Sequence, residues 1–312
     1  MKYQKTLAVL AGLTFAGALS HAQIAIGENL TISGFVDASY ANTDNGTDET
    51  SAINVDEVEI DFAFSFDSVS AEVHLQSKGS DGVELEQAFV STDLGGITVS
   101  AGRMLNLLGF EADEPTGLLT HSNAYSDDYN PGSRYNDGFR GAFSQGDLSV
   151  AASITDGYSS VTGADNDAGE LAFDIALSYS GIENLSVSLG YADNSGDTLA
   201  GVTTGDLELV NVHASYSLGQ LTLAGEYNDW NVAGAESDAY LLLANYAVND
   251  DLSLTVRHSE VDHDAAGSDE EQTTIAVGYT VTDNLSTIIE YSSGEVGTVD
   301  SDVFAVEGIF TF

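Results

Sequence analysis

From Leu30 onward the chain alternates apolar and polar residues with a period of two, and this alternation constrains the fold more than any other feature. Leu30, Ile32, Gly34, Val36, Ala38 and Tyr40 fall on one face, and Thr31, Ser33, Phe35, Asp37 and Ser39 on the other. Val58, Ile60, Phe62, Phe64 and Phe66 alternate with Glu57, Glu59, Asp61, Ala63 and Ser65. The pattern returns at Leu148–Ile154, Phe173–Tyr179, Leu185–Tyr191, Val210–Tyr216, Leu221–Tyr227, Tyr240–Tyr246, Leu252–Val256, Ile275–Tyr279, Leu285–Tyr291 and Phe304–Phe312. Successive side chains of a β-strand point to opposite faces, so each stretch reads as a strand with one greasy and one wet side.

The strands are punctuated in two ways. Tyr179-Ser-Gly-Ile-Glu-Asn-Leu185, Tyr216-Ser-Leu-Gly-Gln-Leu221, Tyr246-Ala-Val-Asn-Asp-Asp-Leu252 and Tyr279-Thr-Val-Thr-Asp-Asn-Leu285 are versions of one unit. Each ends a strand on Tyr, turns through Asn, Asp or Gly and restarts on Leu, which predicts tight hairpins. Between them lie polar stretches rich in Gly, Asp, Ser and Thr, at 155–170, 194–206, 228–237, 260–272 and 294–301, which read as loops.

Apolar residues make up 43% of the chain, yet after Ala22 no run approaches the roughly 18 that a transmembrane helix needs. The first 22 residues have the form of a secretory leader: Lys2 and Lys5, the apolar run Thr6–Leu19, then Ser20-His21-Ala22 as a cleavage signal. Removal after Ala22 leaves 23–312 as one domain. That domain holds five basic residues against 50 acidic ones. A polyanion of this kind repels phosphate, which excludes nucleic acid as a partner. It also suits surroundings rich in screening salt. With no cysteine in an exported chain, stability has to come from something other than disulfides.

A signal peptide, alternation, short turns at one end and long loops at the other predict an all-β fold: a transmembrane antiparallel β-barrel of about 16 strands, with 14 to 18 open because the pattern weakens between Gly82 and Phe143. Tyr179, Tyr216, Tyr246 and Tyr279 at the short turns, and Tyr40, Tyr191, Tyr227 and Tyr291 at the loops, form two aromatic girdles at the lipid–water boundaries. At about 16 strands the interior is too wide for side chains to fill, so the wet face would line an aqueous channel.

The first strand, Leu30-Thr-Ile-Ser-Gly-Phe-Val-Asp-Ala-Ser-Tyr40, resembles that of Gram-negative porins, and Phe304-Ala-Val-Glu-Gly-Ile-Phe-Thr-Phe312 resembles their C-terminal assembly signal. Gln87-Ala-Phe-Val-Ser-Thr-Asp-Leu-Gly-Gly-Ile-Thr-Val-Ser-Ala-Gly-Arg103 with Leu108-Gly-Phe-Glu111 is similar to the OmpL-like β-barrel porins. The resemblance implies a diffusion channel, inserted by the outer-membrane assembly machinery and grouped as a homotrimer. Porin lumens commonly carry many Lys and Arg. This chain departs from that, so anion transport is not implied.

Candidate functional residues follow from the wet face. Asp37, Glu57, Glu59, Asp61 and Glu72 form an acidic wall that would enrich cations. Arg103, Arg134 and Arg140 flank the long segment 104–138, which holds Pro115, Pro131 and the acids Glu111, Asp113, Glu114, Asp127 and Asp128. Such a long connection is usually functional. It either folds inward as a constriction, with wall arginines facing its carboxylates, or the arginines staple an external loop. Asp44, Asp48, Glu49, Asp165 and Asp167 sit in loops without a calcium-loop spacing and read as solvated charge. No histidine has metal-ligand spacing, and there is no nucleophile–base motif, so neither cofactor nor catalysis is expected. The function expected is passive passage of ions and small hydrophilic solutes, cations preferred. The alternatives are a substrate-specific channel, or an adhesive or structural barrel with a blocked lumen.

Overall fold

A computed structural model describes residues 23–79, 82–125, 134–156, 171–194, 197–199, 202–204, 207–232, 234–264 and 269–312. The leader lies outside them. The strands are β1 (Ile24–Ile26), β2 (Leu30–Asp44), β3 (Glu49–Ser65), β4 (Val69–Lys78), β5 (Glu84–Asp93), β6 (Ile97–Leu105), β7 (Tyr135–Gln145), β8 (Leu148–Thr155), β9 (Ala172–Ile182), β10 (Leu185–Asn194), β11 (Asp197–Leu199), β12 (Val202–Thr204), β13 (Leu207–Leu218), β14 (Leu221–Val232), β15 (Ala235–Ala247), β16 (Leu252–His263), β17 (Glu270–Thr282), β18 (Leu285–Val296) and β19 (Val299–Thr311).

Strands β2 to β10 and β13 to β19 pair antiparallel with their sequence neighbours, and β10 pairs with β13 across the connection that contains the β11–β12 hairpin. β19 then pairs with β2, from Asp302↔Asp44 to Thr311↔Phe35. The ring of sixteen strands is thereby closed. Closure satisfies every edge, the condition for placing a sheet in lipid. At the seam Gly34 and Phe312 exchange backbone hydrogen bonds of 3.0 Å each way. β1 folds back on the start of β2, pairing Ile24↔Ile32.

The greasy face points outward. Phe173, Ile175, Leu177, Val210, Val212, Leu223, Leu242, Leu254, Val256, Ile275, Ile289, Phe304 and Phe310 are all exposed on the outside of the sheet. Tyr179, Tyr216, Tyr246 and Tyr279 stand exposed at the short-turn end, and Tyr40, Tyr227 and Tyr291 at the other. The tight turns are as expected: Asn184 and Gly219 adopt φ of 63°, which two-residue hairpins demand and which Asn and Gly accept most cheaply.

Two sequence expectations need correction. Of 228–237 and 294–301, residues 228–232, 235–237, 294–296 and 299–301 are strand, because β14 pairs with β15 as far as Val232↔Ala235 and β18 with β19 as far as Val296↔Val299. Their polar composition reflects strands that leave the lipid and need no apolar face. The weak alternation after Gly82 has a physical cause: the β4–β5 register shifts between His74 and Leu75, leaving Glu86 as an extra residue and reversing the phase. A second irregularity between Asp37 and Ala38 skips Asp56 on β3.

Buried apolar residues sit inside the ring. Leu207, Leu209, Trp230, Ala239 and Val261 form one cluster on the inner wall, covered by Leu108 and Tyr125. Leu241, Leu243 and Ala224 form another with Ala124, covered by Phe110 and Leu119. Both covers come from the described part of the connection between β6 and β7, residues 106–125, which therefore folds into the lumen.

Candidate functional site

The inward segment leaves β6 at Leu105. Its Pro115–Gly117 stretch makes one 3-10 turn, the only helical turn among the described residues, where proline's fixed φ and missing N–H suit a short tight coil. Asp127, Asp128 and Pro131 lie outside the described residues.

The segment is held on one flank by Arg257 of β16, which is wholly buried. Arg257 Nη1 donates to Glu111 Oε1 at 2.9 Å, to Thr120 Oγ1 at 2.8 Å and to the Ser122 carbonyl at 2.6 Å. Its Nη2 donates to the Asn123 carbonyl at 2.8 Å and to Gln272 Oε1 at 2.6 Å. The planar guanidinium offers five donors in a fixed fork, and here it gathers a bend of the chain around one charge. The second oxygen of Glu111 accepts the Ala124 N–H at 2.7 Å. Around the wall, Asp174 accepts from Leu107 N at 3.1 Å, Glu226 from Phe110 N at 2.9 Å, and Glu290 from His121 N at 2.7 Å. Inward-facing carboxylates thus satisfy the backbone N–H groups that a buried coil would otherwise leave unpaired. His121 Nδ1 lies 3.1 Å from Glu307, and this hydrogen bond raises the imidazole pKa above 6.5.

The opposite flank is crowded with acids. Glu57 and Glu59 of β3 and Glu86 of β5 lie against Asp113 and Glu114 of the segment. Arg134 pairs with Asp113, and the Tyr135 hydroxyl also donates to Asp113. Lys78 stands 3.6 Å from Glu57. Burial, and next the hydrogen bond to Glu59, push the Glu114 carboxyl up to about 12. Beside this group, His74 lies 3.2 Å from both Glu59 and Glu72 and 3.3 Å from Asp61.

The expected site residues therefore divide. Asp37, Glu57, Glu59, Asp61 and Glu72 share the inner face, as the alternation implied, with Asp37 set apart near Glu307 and His121. Glu111, Asp113 and Glu114 reach the lumen on the segment. Arg140, inward-facing between Ser100 and Ser153, donates to Ser153 Oγ at 2.9 Å and to the Leu105 carbonyl at 2.5 Å, gripping the segment's root. Arg103 is a correction. It alternates with the buried inward residues Ser100 and Met104, so it belongs to the outer face, where it is 40% exposed and pairs with Asp137 at 2.8 Å. Its even-numbered neighbours claim the lumen, and it pairs with none of Glu111, Asp113 and Glu114.

Sequence reasoning missed Arg257, Glu86, Glu226 and Glu290. Arg257 was findable: it follows Val256 on a strand whose greasy face is Leu252, Leu254 and Val256, so its charge had to point inward. Glu86 was hidden by the bulge.

The sequence profile of the Gram-negative porin family matches residues 6–298. A search of curated proteins finds no match. Among solved structures, the chain superposes on an anion-selective porin from Comamonas acidovorans with a TM-score of 0.72 at 15% identity, covering 91% of this chain and 99% of that one. It is similar to OmpF of Salmonella typhi in complex with daunomycin, with a TM-score of 0.74 at 14% identity over 93% and 100% of the two chains. The trimer form of OmpT, an outer-membrane protein of Vibrio cholerae, gives a TM-score of 0.62 at 14% identity over 91% and 100%. With a closed lipid-facing barrel and a family match across most of its length, the chain belongs to the Gram-negative porins and is a multi-pass outer-membrane channel for small solutes.

Proposed function

We propose that this channel passes ions and small hydrophilic solutes by diffusion, that it prefers cations, and that the inward residues 106–125 set its narrowest zone. One observation carries the reading: the inner wall presents Asp37, Glu57, Glu59, Glu86, Asp174, Glu226, Glu290 and Glu307, against Lys78, Arg140 and Arg257 on that wall and Arg134 beside Asp113 as inward cations among the described residues. Fixed negative charge at a narrow zone raises local cation concentration and opposes anions. The Comamonas relative is named for anion selectivity, so the sign of this preference is the point under test. Planar-bilayer recordings in a KCl gradient should give a reversal potential of the sign set by K⁺. A potential of the opposite sign removes the cation preference, whereas a porin conductance of either sign leaves the channel itself intact.

A second reading is favoured by how widely the segment is bonded, from Asp174 on β9 to Glu290 on β18: a barrel whose lumen is plugged and whose role is structural. Absence of conductance from correctly folded protein would select it. Export by the leader with cleavage after Ala22, insertion by the outer-membrane assembly machinery and grouping as a homotrimer complete the proposal. The likeness to a trimeric outer-membrane protein supports the last point, and light scattering of the detergent-solubilised protein tests it.

A further inference from the structure

The acidic flank has an arrangement that the selectivity reading does not use. Glu57, Glu59 and Glu86 each offer a carboxylate oxygen, all within 4.8 Å of one another, and Glu86, Asp113 and Glu114 form a second such set that shares Glu86. Glu86 is 1% exposed, and neither of its oxygens has a hydrogen-bond partner. Glu59 is 2% exposed, and its Oε2 likewise has none, as is true of Glu114 Oε2. The Tyr135 hydroxyl at the edge of the cluster donates to Asp113. Buried carboxylate oxygens in this state are costly unless something fills the space between them.

We propose that this cluster is a binding site for a divalent cation of the Ca²⁺ class, which ties the inward segment to the wall. The ligands would be Glu57, Glu59 and Glu86 from strands β3 and β5, with Asp113 and Glu114 from the segment. The donor set is all oxygen, which suits a hard cation. Oxygens bound at about 2.3–2.6 Å on opposite sides of an ion are roughly 5 Å apart, which matches the spread of each set. Mg²⁺, with bonds of about 2.1 Å and strict octahedral demands, fits such a spread less well. The two local irregularities explain how the strands come to present these acids: the bulge at Glu86 turns its side chain inward out of phase, and the skipped Asp56 lies directly before Glu57.

The test uses the full folded barrel in detergent, stripped with chelator and titrated with CaCl₂ by calorimetry at pH 7.5. One saturable site is expected, along with a rise in the thermal unfolding midpoint on adding Ca²⁺ that the chelator reverses. Glu86→Gln and Asp113→Asn should each weaken binding at least tenfold, while Asp300→Asn, at the far turn of β19, should leave it unchanged. If Glu86→Gln fails to fold, Asp113→Asn alters the segment alone and reads the same loss. Absence of saturable Ca²⁺ binding to the unmodified protein, or binding that survives the change at Asp113, overturns the site. The result is independent of ion preference: a Ca²⁺-binding barrel that favours anions would sink the selectivity reading and keep this one.

Discussion

The two flanks of the inward segment solve the same problem differently. On the Arg257 side both terminal nitrogens of one buried guanidinium are engaged, with Nε alone left without a partner, and Glu111 and Glu290 are both held: Glu111 by Arg257 and the Ala124 N–H, Glu290 by the backbone of His121 and Ser122. On the Glu86 side five carboxylates share Lys78 and Arg134. The first flank has its charges matched and nearly all their donors and acceptors engaged, so it should be rigid and insensitive to solvent conditions. The second is unbalanced and so should respond to protons and ions.

The sharpest way to break that contrast is Arg257→Met. Removing one partner of a buried ion pair costs about 3–5 kcal/mol, and here it frees a bend held by five hydrogen bonds, so single-channel conductance should rise several-fold with larger open-state noise. An unchanged conductance would mean that the Arg257 flank does not hold the narrow zone. Next in size, Glu111→Gln should destabilise the barrel by about 1.5–3 kcal/mol, the usual loss for a hydrogen bond to a charged group. Glu114→Gln in the presence of chelator should cost little, because the raised pKa keeps that carboxyl protonated near neutrality. Parallel thermal melts of the two variants decide this, and equal losses would erase the difference between the flanks.

Acidity gives a third, smaller effect. Both raised groups bind a proton more tightly when folded, so stability falls as pH rises. For Glu114 the slope starts at its ordinary 4.5 and runs toward about 12. For His121 the full contribution is present below 6.5 and is lost as pH rises through its raised folded value. Melting midpoints recorded from pH 5 to 8 should therefore decline, and His121→Gln should flatten the part of the decline that begins near 6.5. A midpoint that climbs with pH would reverse the assigned signs. The smallest effect belongs to Arg103→Ala: an exposed pair on the outer face is worth about 0–1 kcal/mol, and reversal potential and conductance should stay unchanged. A shifted potential would put Arg103 back in the lumen.

Much of this molecule was legible because lipid enforces alternation strand by strand. From Leu207 onward the strands are 12 or 13 residues long, and their greasy faces are those read from the sequence. Legibility failed where lipid is not the arbiter. The polar outer ends of β14, β15, β18 and β19 looked like loops, since a strand in water needs no apolar face. The bulge at Glu86 broke the period that would have exposed its inward aim. The candidate site was half visible: the length and prolines of the segment marked it, and the wall acids kept their phase. What holds it inward includes a bond between Glu111 and a residue 146 positions away, which no local pattern encodes. Arg103 was misplaced because proximity in sequence to the segment outweighed the parity of its position on β6.

The pairing of β19 with β2 has a consequence for how such a molecule can be made. The joint that closes the ring links residues 276 positions apart, Thr311 with Phe35. Until the final strand arrives, the first one waits with a raw edge, and the growing sheet is an open ribbon, oily on its outer side. An exposed edge of that length invites pairing with any other ribbon. Completion is therefore all-or-nothing, and a loss at that joint should yield aggregate in place of a leakier pore.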